Sequence, residues 1–392
     1  MRRTNLPPPA GVAVTAVGAV TASGTTVAEL FEDLLNGRRP LTTRRVPPVA
    51  NALVDAAEAE DREVLAAHVT DPLDLTEVVG ARAARALSRD SRLLILAVHT
   101  SGAEWGADAD RTGVVLGTLR AGRNEYLAIH DAARGGAGRV NPVWGPQAGY
   151  NAPAAQLSIH LTARGPNLTL SSGTTAGLDA LAVGAGQVLG GTCDAVVAAG
   201  LDTLSGAVDG TGDAAPLPPG EAAAVLVLED DRAAAGRALA RVLGTGQATA
   251  EAADGMARVR QEALAGAAAE AVRAALRQAG RLPTEVALAV AASGADPVAE
   301  AAQLAALALV FDTKLPLCVP TATTGGTGGA DGALAAVVAV EALTRGVVPP
   351  APGDGPVDGG AVPLTGPLGI CLAVDPGGSA TAVLLSSTDM KT

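Results

Sequence analysis

Residues Leu170 to Gly191 read LSSGTTAGLDALAVGAGQVLGG and contain three local patterns in succession. A short apolar run enters a turn of small residues, Ser171 to Thr175, and an alanine-rich helix follows the turn. Strand, tight turn and helix form the arrangement that raises one side chain above a sheet as a nucleophile. Thr174 stands at the apex, where a catalytic elbow carries a cysteine or a serine. The stretch therefore predicts a nucleophile elbow whose usual nucleophile is missing.

Strand and helix patterns alternate on both sides of this elbow, which is typical of an α/β fold. The N-terminal run GVAVTAVGAVTASG (residues 11–24) leads into the amphipathic helix TTVAELFEDLLNGRR, and this continuation favours a first strand and helix over a signal peptide. Buried-strand patterns lie at 112–119, 193–203, 218–231 and 285–294, helices at 124–136 and 262–282, and a closing hairpin at 368–387.

Two passages of the chain resemble each other. LTLSSGTTAGLDALAVGAG (168–186) and LCVPTATTGGTGGADGALAAVVAV (317–340) each contain a strand, a Thr/Gly-rich loop and an alanine-rich helix. A repeat of this size indicates an internal duplication of one α/β unit. The sequence therefore predicts two similar halves.

Composition excludes several classes of function. The net charge of −12 argues against nucleic acid and anionic membranes as partners. No apolar stretch reaches the length of a membrane span, so we expect a soluble, cytoplasmic protein. Cys193, Cys318 and Cys371 are far apart in apolar runs, which indicates buried free thiols. No Cys/His spacing suggests a metal, and we expect neither a metal nor a cofactor.

Five segments, taken in order, resemble the ketosynthases of the thiolase superfamily. They are GTTAGLDALAVGAGQVLGGTCDAVVAAGLDT (173–203), PGEAAAVLVLED (219–230), ADPVAEAAQLAALALVF (295–311), TATTGGTGGADGALAAVVAVEALTRGVVPP (321–350) and VDPGGSATAVLL (374–385). The resemblance implies a thiolase-like five-layer αβαβα sandwich of two pseudo-duplicated halves, which we divide at residues 1–232 and 233–392. It also implies a dimer formed across strands near the elbow.

The resemblance further implies a reaction apparatus that this chain lacks. A condensing ketosynthase needs a cysteine thiolate at a helix N-terminus, two histidines and a lysine. Carried over to this sequence, the cysteine falls on Thr174, the first histidine near Ser293, the lysine on Thr324 and the second histidine on Gly329. The gating phenylalanine falls on Pro376. We therefore expect these positions to be degenerate and to carry no catalysis.

One branch of the family has this character: the chain length factor, or ketosynthase β subunit, of type II polyketide synthases. Such a subunit pairs one-to-one with an active ketosynthase, is served by an acyl carrier protein, and shapes the tunnel in which the chain grows. Many factors that make aromatic products carry glutamine at the cysteine position, whereas this chain has Thr174. An aromatic-type assignment does not follow from that residue.

The segment NPVWGPQAGYNAPAAQLSIHLTARGP (141–166) corresponds to the tunnel region of chain length factors. The candidate tunnel residues are Trp144, Gly145, Gln147, Ala148, Gly149, Tyr150, Asn151 and Ala154. Because most of them are small, one hypothesis is an open tunnel suited to a long or rigid chain such as a polyene. The alternative is a Gly/Pro-rich loop that packs beneath the elbow.

Two further functions stay open at this point. One is a stand-alone acyltransferase or malonyl decarboxylase that uses Thr174 with backbone N–H groups as an oxyanion hole. The other is a homodimeric acyl-binding protein. The histidines offer the first alternative no base, since all of them precede the elbow in the chain: His68, His99, His130 and His160.

Overall fold

The computed structural model describes residues 11–46, 62–104, 107–204, 217–234, 236–251, 259–292, 296–350 and 360–388. Within them the strands are β1 (Val12–Val20), β2 (Thr42–Val46), β3 (Arg62–Ala66), β4 (Thr112–Gly117), β5 (Asn167–Leu170), β6 (Ala195–Asp202), β7 (Ala222–Asp230), β8 (Ala240–Thr249), β9 (Val286–Ala292), β10 (Leu317–Cys318), β11 (Val347–Val348), β12 (Val362–Pro363), β13 (Leu368–Val374) and β14 (Ser379–Ser387).

The helices of the same residues are α1 (Val27–Leu35), α2 (Thr76–Val79), α3 (Ala81–Ala86), α4 (Arg89–Thr100), α5 (Arg123–Arg134), α6 (Trp144–Gln147), α7 (Ala152–Leu161), α8 (Ala176–Leu189), α9 (Gln261–Ala279), α10 (Pro297–Val310), α11 (Thr321–Thr324) and α12 (Asp331–Arg345). Each predicted strand and helix is present, including the first strand and amphipathic helix and the closing β13–β14 hairpin. Thr26 and Glu29 begin α1 with a capping box.

Ten strands form a sheet in the order β10-β9-β13-β14-β8-β1-β7-β6-β4-β5. Read inward from either edge, each group of five has two parallel pairings followed by two antiparallel ones. The same order therefore occurs twice, which confirms the pseudo-duplication. The two groups, here called the first and second units, are joined where Val12–Val14 pair with Ala240–Val242.

Helices separate and cover these units in five layers. α4 and α7 pack on the outer face of the first unit, and α9 and α10 pack on the outer face of the second. α8 and α12 lie between the units, where nearly all of α12 is buried. This arrangement is the predicted αβαβα sandwich.

Glycine allows the two central helices to approach closely. A Cβ atom at Gly177 of α8 would lie 2.5 Å from the amide nitrogen of Ala333 in α12. Reciprocally, a Cβ atom at Gly332 would lie 2.6 Å from the nitrogen of Leu178. The low aromatic content of the chain is thus matched by a core of small side chains in close backbone contact.

The cysteine prediction is confirmed: Cys193, Cys318 and Cys371 are free and buried. Burial raises the pKa of Cys318 to about 12 and raises the pKa of Cys193 and Cys371 as well, so all three are poor nucleophiles. Among the helices of the described residues, none has both the length and the apolar character that crossing a membrane requires.

Candidate functional site

The predicted elbow is present at the junction of β5 and α8. β5 ends at Leu170, a 3₁₀ turn covers Gly173–Thr175, and α8 begins at Ala176. Gly173 has φ +73°, a left-handed conformation that glycine adopts without strain. Thr174 lies at the apex with 8% of its surface exposed. The nucleophile position is therefore built as in an enzyme but holds a nearly buried threonine.

Thr174 is held by the turn between β13 and β14. Its backbone N–H donates to Asp375 Oδ2 at 2.9 Å. Its Oγ1 lies 2.8 Å from the carbonyl oxygen of Val374 and 3.3 Å from Asp375 Oδ2. The other oxygen of Asp375 accepts from the N–H of Gly377 at 2.7 Å. The carboxylate of Asp375 thus lies across the amide at the apex of the elbow.

Sequence reasoning did not identify Asp375. Its signal in the sequence was the VDPGG turn (374–378), in which the neighbouring Pro376 was predicted to be the degenerate gate. Pro376 does lie in the turn beside the elbow, half-buried, and its carbonyl oxygen accepts from the N–H of Val259 at 3.2 Å. An acidic residue next to the gate could have been noted as a partner for Thr174.

A second carboxylate, Asp179, fixes the elbow from within α8. It accepts hydrogen bonds from four side chains of the two units: Ser172 Oγ at 2.5 Å, Thr175 Oγ1 at 2.8 Å, Gln247 Nε2 at 2.8 Å and Thr381 Oγ1 at 2.5 Å. These donors come from the turn, β8 and β14, so Asp179 joins the first unit to the second. Its lone pairs are directed to these donors, and it is placed to hold the turn in position.

The other carried-over positions contain no titratable group where the structure describes them. Thr324 is buried in α11, and its Oγ1 lies 3.2 Å from the carbonyl oxygen of Pro320. Gly329 has no room for a side chain, since a Cβ atom there would lie 2.6 Å from the Cα of Thr118. Ser293 lies outside the described residues.

Two buried acids support the turn that contains Gly329. Asp202 Oδ2 accepts from the Gly329 N–H at 2.6 Å, and Asp202 Oδ1 accepts from Thr118 Oγ1 at 2.8 Å. Asp331 accepts from the N–H and the hydroxyl of Thr327 at 2.9 and 2.5 Å. Burial raises the pKa of both acids, that of Asp331 to about 6. Sequence reasoning missed both, because an isolated aspartate gives no sign of burial.

The predicted tunnel residues run from α6 into the first turn of α7, at three levels of exposure. Gln147 and Ala154 are buried, Trp144, Ala148 and Gly149 are half-buried, and Gly145, Tyr150 and Asn151 are exposed. A cavity of about 410 Å³ lies elsewhere, between β1, the segment that follows α4 and the segment that precedes β8, and none of these eight residues lines it. The tunnel therefore stays a prediction.

Apolar side chains are exposed around this segment and along the edge strand β5. The most exposed of them are Ile159 at 70%, Tyr126 at 62%, Tyr150 at 54%, Val143 at 50%, Leu168 at 40% and Leu189 at 40%. β5 pairs with β4 on one side, and its other side is the edge of the sheet. An apolar patch beside an open strand edge is typical of an interface with another protein.

The layered fold and the elbow define a ketosynthase-like architecture of the thiolase type. The chain belongs to the beta-ketoacyl synthase family: residues 10–215 match its N-terminal domain and residues 239–353 match its C-terminal domain. A curated relative, 3-oxoacyl-(acyl-carrier-protein) synthase 2 of Vibrio harveyi, is 28% identical over 200 residues. That match covers 50% of this chain and 46% of the relative, so it spans about half of each.

Solved structures share the fold over nearly the whole chain. The ishigamide ketosynthase/chain length factor superposes with a TM-score of 0.79 at 19% identity, covering 97% of this chain and 100% of that one. The ketosynthase ApeO in complex with its chain length factor ApeC, from Xenorhabdus doucetiae, gives 0.79 at 22% identity, covering 96% and 98%. A beta-ketoacyl synthase from Burkholderia phymatum gives 0.78 at 21% identity, covering 96% and 99%.

Proposed function

We propose that this chain is a non-catalytic chain length factor, which pairs one-to-one with an active ketosynthase and shapes the tunnel for the growing acyl chain. The observation that carries the proposal is the contact between Asp375 and the backbone amide of Thr174. The elbow keeps the architecture of a ketosynthase, while a resident carboxylate occupies the place where its chemistry would occur.

The contact opposes both steps that an elbow performs in acyl transfer. A nucleophile at position 174 must become an anion, and a carboxylate 3.3 Å from the side-chain oxygen disfavours a second negative charge. An oxyanion hole needs backbone N–H groups that are free to bind a developing negative charge. The N–H groups of Thr174 and Gly377 are already donated to Asp375. Together these contacts weigh against an acyltransferase or decarboxylase that uses Thr174.

Pairing with a ketosynthase is supported by the apolar patch beside β5. Exposed apolar side chains grouped in this way favour a protein partner over solvent, and they surround the segment of the predicted tunnel residues. The solved relatives include ketosynthases in complex with chain length factors. An acyl carrier protein is the proposed carrier of the growing chain.

The finer proposal concerns the product. Ala148 and Gly149 are half-buried, and a Cβ atom at Gly149 would meet only the side-chain oxygen of Asn151, at 2.9 Å. A side chain at position 149 would therefore meet little else in this chain. We propose an open tunnel for a long or rigid acyl chain such as a polyene. The division of this protein into halves at residues 1–232 and 233–392 is a separate proposal. Ala148→Phe and Gly149→Phe are each expected to shorten the product. An unchanged product length in both variants would refute the proposal that these residues limit the length of the chain.

The test of the pairing is native mass spectrometry of this chain co-expressed with the ketosynthase encoded beside it. Equal numbers of the two chains in one assembly support the proposal, whereas an assembly of this chain alone, with no ketosynthase bound, supports the acyl-binding alternative. In the same complex, Thr174→Ala is expected to leave the condensation rate within about twofold, because it removes only a hydroxyl that is bonded inside the fold. A large loss of rate in this variant would return Thr174 to consideration as a working residue.

A further inference from the structure

Helix α10 exposes an apolar stripe on the outer face of the second unit. Its sequence is PVAEAAQLAALALV, in which Glu300 is the only charged residue. Leu304 is 48% exposed and Leu309 is 57% exposed. Ala308, which also faces solvent, extends this stripe towards the C-terminal end of the helix.

The distribution of polar and apolar side chains around α10 is the reverse of that expected for a helix that faces solvent. Its remaining polar residue, Gln303, points inward, where its side-chain amide donates to the carbonyl oxygens of Ala292 and Leu372. A helix that is apolar around its whole circumference is normally buried. The exposed leucines of α10 therefore indicate a surface that a protein partner covers.

We propose that the partner on α10 is a second copy of this chain, packed antiparallel about a two-fold axis that passes between Leu304 and Ala305. The distribution of charge around the stripe favours a second copy. Glu300 lies near the N-terminal end of the stripe, and Arg273 of α9 reaches its C-terminal end, where its guanidinium donates to the carbonyl oxygen of Leu309 at 2.8 Å. The midpoint of the stripe lies equally far from residues 300 and 309.

A two-fold axis at that midpoint places Glu300 of each copy against Arg273 of the other, so one operation forms two opposite-charge pairs. A two-fold contact of this kind requires a self-complementary surface, and the stripe satisfies that requirement. Small side chains at Ala301, Ala305 and Ala308 allow the two helices to approach at the short end of the usual range of about 8–10 Å. The leucines then fill the space on either side of the axis.

This contact is separate from the one proposed for a ketosynthase. α10 belongs to the second unit, whereas β5 is the far edge of the first unit in the ten-stranded sheet. Both surfaces can be occupied at once. The inference does not depend on the proposed function, and together the two contacts would give an assembly with two copies of this chain and two of the ketosynthase.

The test is native mass spectrometry of the full chain, co-purified with the ketosynthase and, separately, alone. We expect two copies of this chain in each assembly, and Leu304→Arg is expected to reduce the number to one. The matched control is Leu282→Arg, because Leu282 is 65% exposed in the same unit but lies outside α10. If no ketosynthase binds but the copy number still responds to Leu304→Arg, the proposed function fails and the α10 contact stands.

A charge exchange tests the geometry more directly. Glu300→Arg and Arg273→Glu should each raise the dissociation constant of the two-copy assembly about tenfold or more, since each places like charges together. The double variant should restore association towards that of the wild type. An unchanged copy number in Leu304→Arg, or a double variant no better than the single ones, would overturn the proposal. If Leu304→Arg removes a bound carrier protein from the assembly and leaves the number of copies of this chain unchanged, α10 is the binding surface for that carrier protein.

Discussion

The carboxylate of Asp375 lies 2.9 Å from the backbone nitrogen of Thr174, although 201 positions separate the two residues in the chain. The turn of the second unit thereby closes over the elbow of the first. Gly173 makes this approach feasible, because a Cβ atom there would lie only 2.0 Å from Asp375 Oδ2. The same contact determines how the elbow would respond if its nucleophile were restored.

Restoring a thiol at the elbow is therefore expected to give an unreactive cysteine. In Thr174→Cys, the carboxylate of Asp375 should oppose formation of the thiolate, and the thiol should react slowly with iodoacetamide. The double variant Thr174→Cys with Asp375→Asn removes the charge and should react about tenfold faster, which corresponds to a thiol pKa lower by about one unit. The rate of alkylation at neutral pH measures the difference.

Wild-type protein is the control for this experiment, because its three cysteines are buried and should remain unlabelled in the folded state. Equal rates in the single and double variants would show that Asp375 does not govern the charge at the elbow.

Removing Asp179 should destabilise the fold strongly. Asp179→Ala leaves the buried hydroxyl of Thr381 and the half-buried hydroxyl of Ser172 without their acceptor, and each buried unsatisfied group costs about 1–3 kcal/mol. We expect the free energy of unfolding in urea to fall by about 3 kcal/mol or more. Asp110→Ala is the matched control, since its ion pair with Arg164 is exposed and should contribute less than about 1 kcal/mol. Similar losses in the two variants would contradict the role of Asp179.

The pKa of Asp331 gives stability a specific pH dependence. Because burial raises this pKa from 3.8 to about 6, the folded protein holds a proton that the unfolded chain releases. Stability from this group is fully present below about pH 4 and is lost as the pH rises through about 6. Asp331→Asn should remove that loss, which amounts to at most about 3 kcal/mol between about pH 4 and pH 8.

Denaturation curves of the wild type and of Asp331→Asn at several pH values check this prediction. The asparagine of the variant keeps an oxygen for Thr327, and the neighbouring Asp202 and Arg120 are present in both proteins. Glu125, whose pKa burial also raises to about 6, contributes equally to both curves. Parallel stability profiles would mean that Asp331 does not carry the effect.

The apolar patch beside β5 should be required for pairing with the ketosynthase. Ile159→Arg places a charge on the most exposed apolar residue of α7 and should prevent co-purification of the two subunits. Because Ile159 is 70% exposed, the variant should keep the thermal stability of the wild type. Leu282→Arg serves as the control on the opposite unit and should co-purify normally. Intact pairing in Ile159→Arg would place the interface elsewhere.

Local patterns were sufficient to predict an α/β fold with two similar halves, whereas the five-layer arrangement was implied by the resemblance to ketosynthases. Thr112–Gly117 and Ala195–Asp202 are almost wholly buried strands. Their continuous runs of apolar residues are sufficient to predict where they lie in the chain. The repeat of a strand, a Thr/Gly-rich loop and an alanine-rich helix predicted the two similar units. The absence of cysteine from the apex of the elbow was likewise visible in the sequence, at Thr174.

Local sequence was enough to infer the order of strands and helices, the duplication and the loss of the expected nucleophile, because these depend on residues close together in the chain. The folded structure was needed to show that Asp375 lies against the apex of the elbow. Asp375 and Asp179 act through partners about 200 positions away, at Thr174 and Thr381, and such contacts follow from the packing of two units against each other. Hydrophobic burial places the backbones, and the buried polar groups then take whichever partners that packing brings within reach.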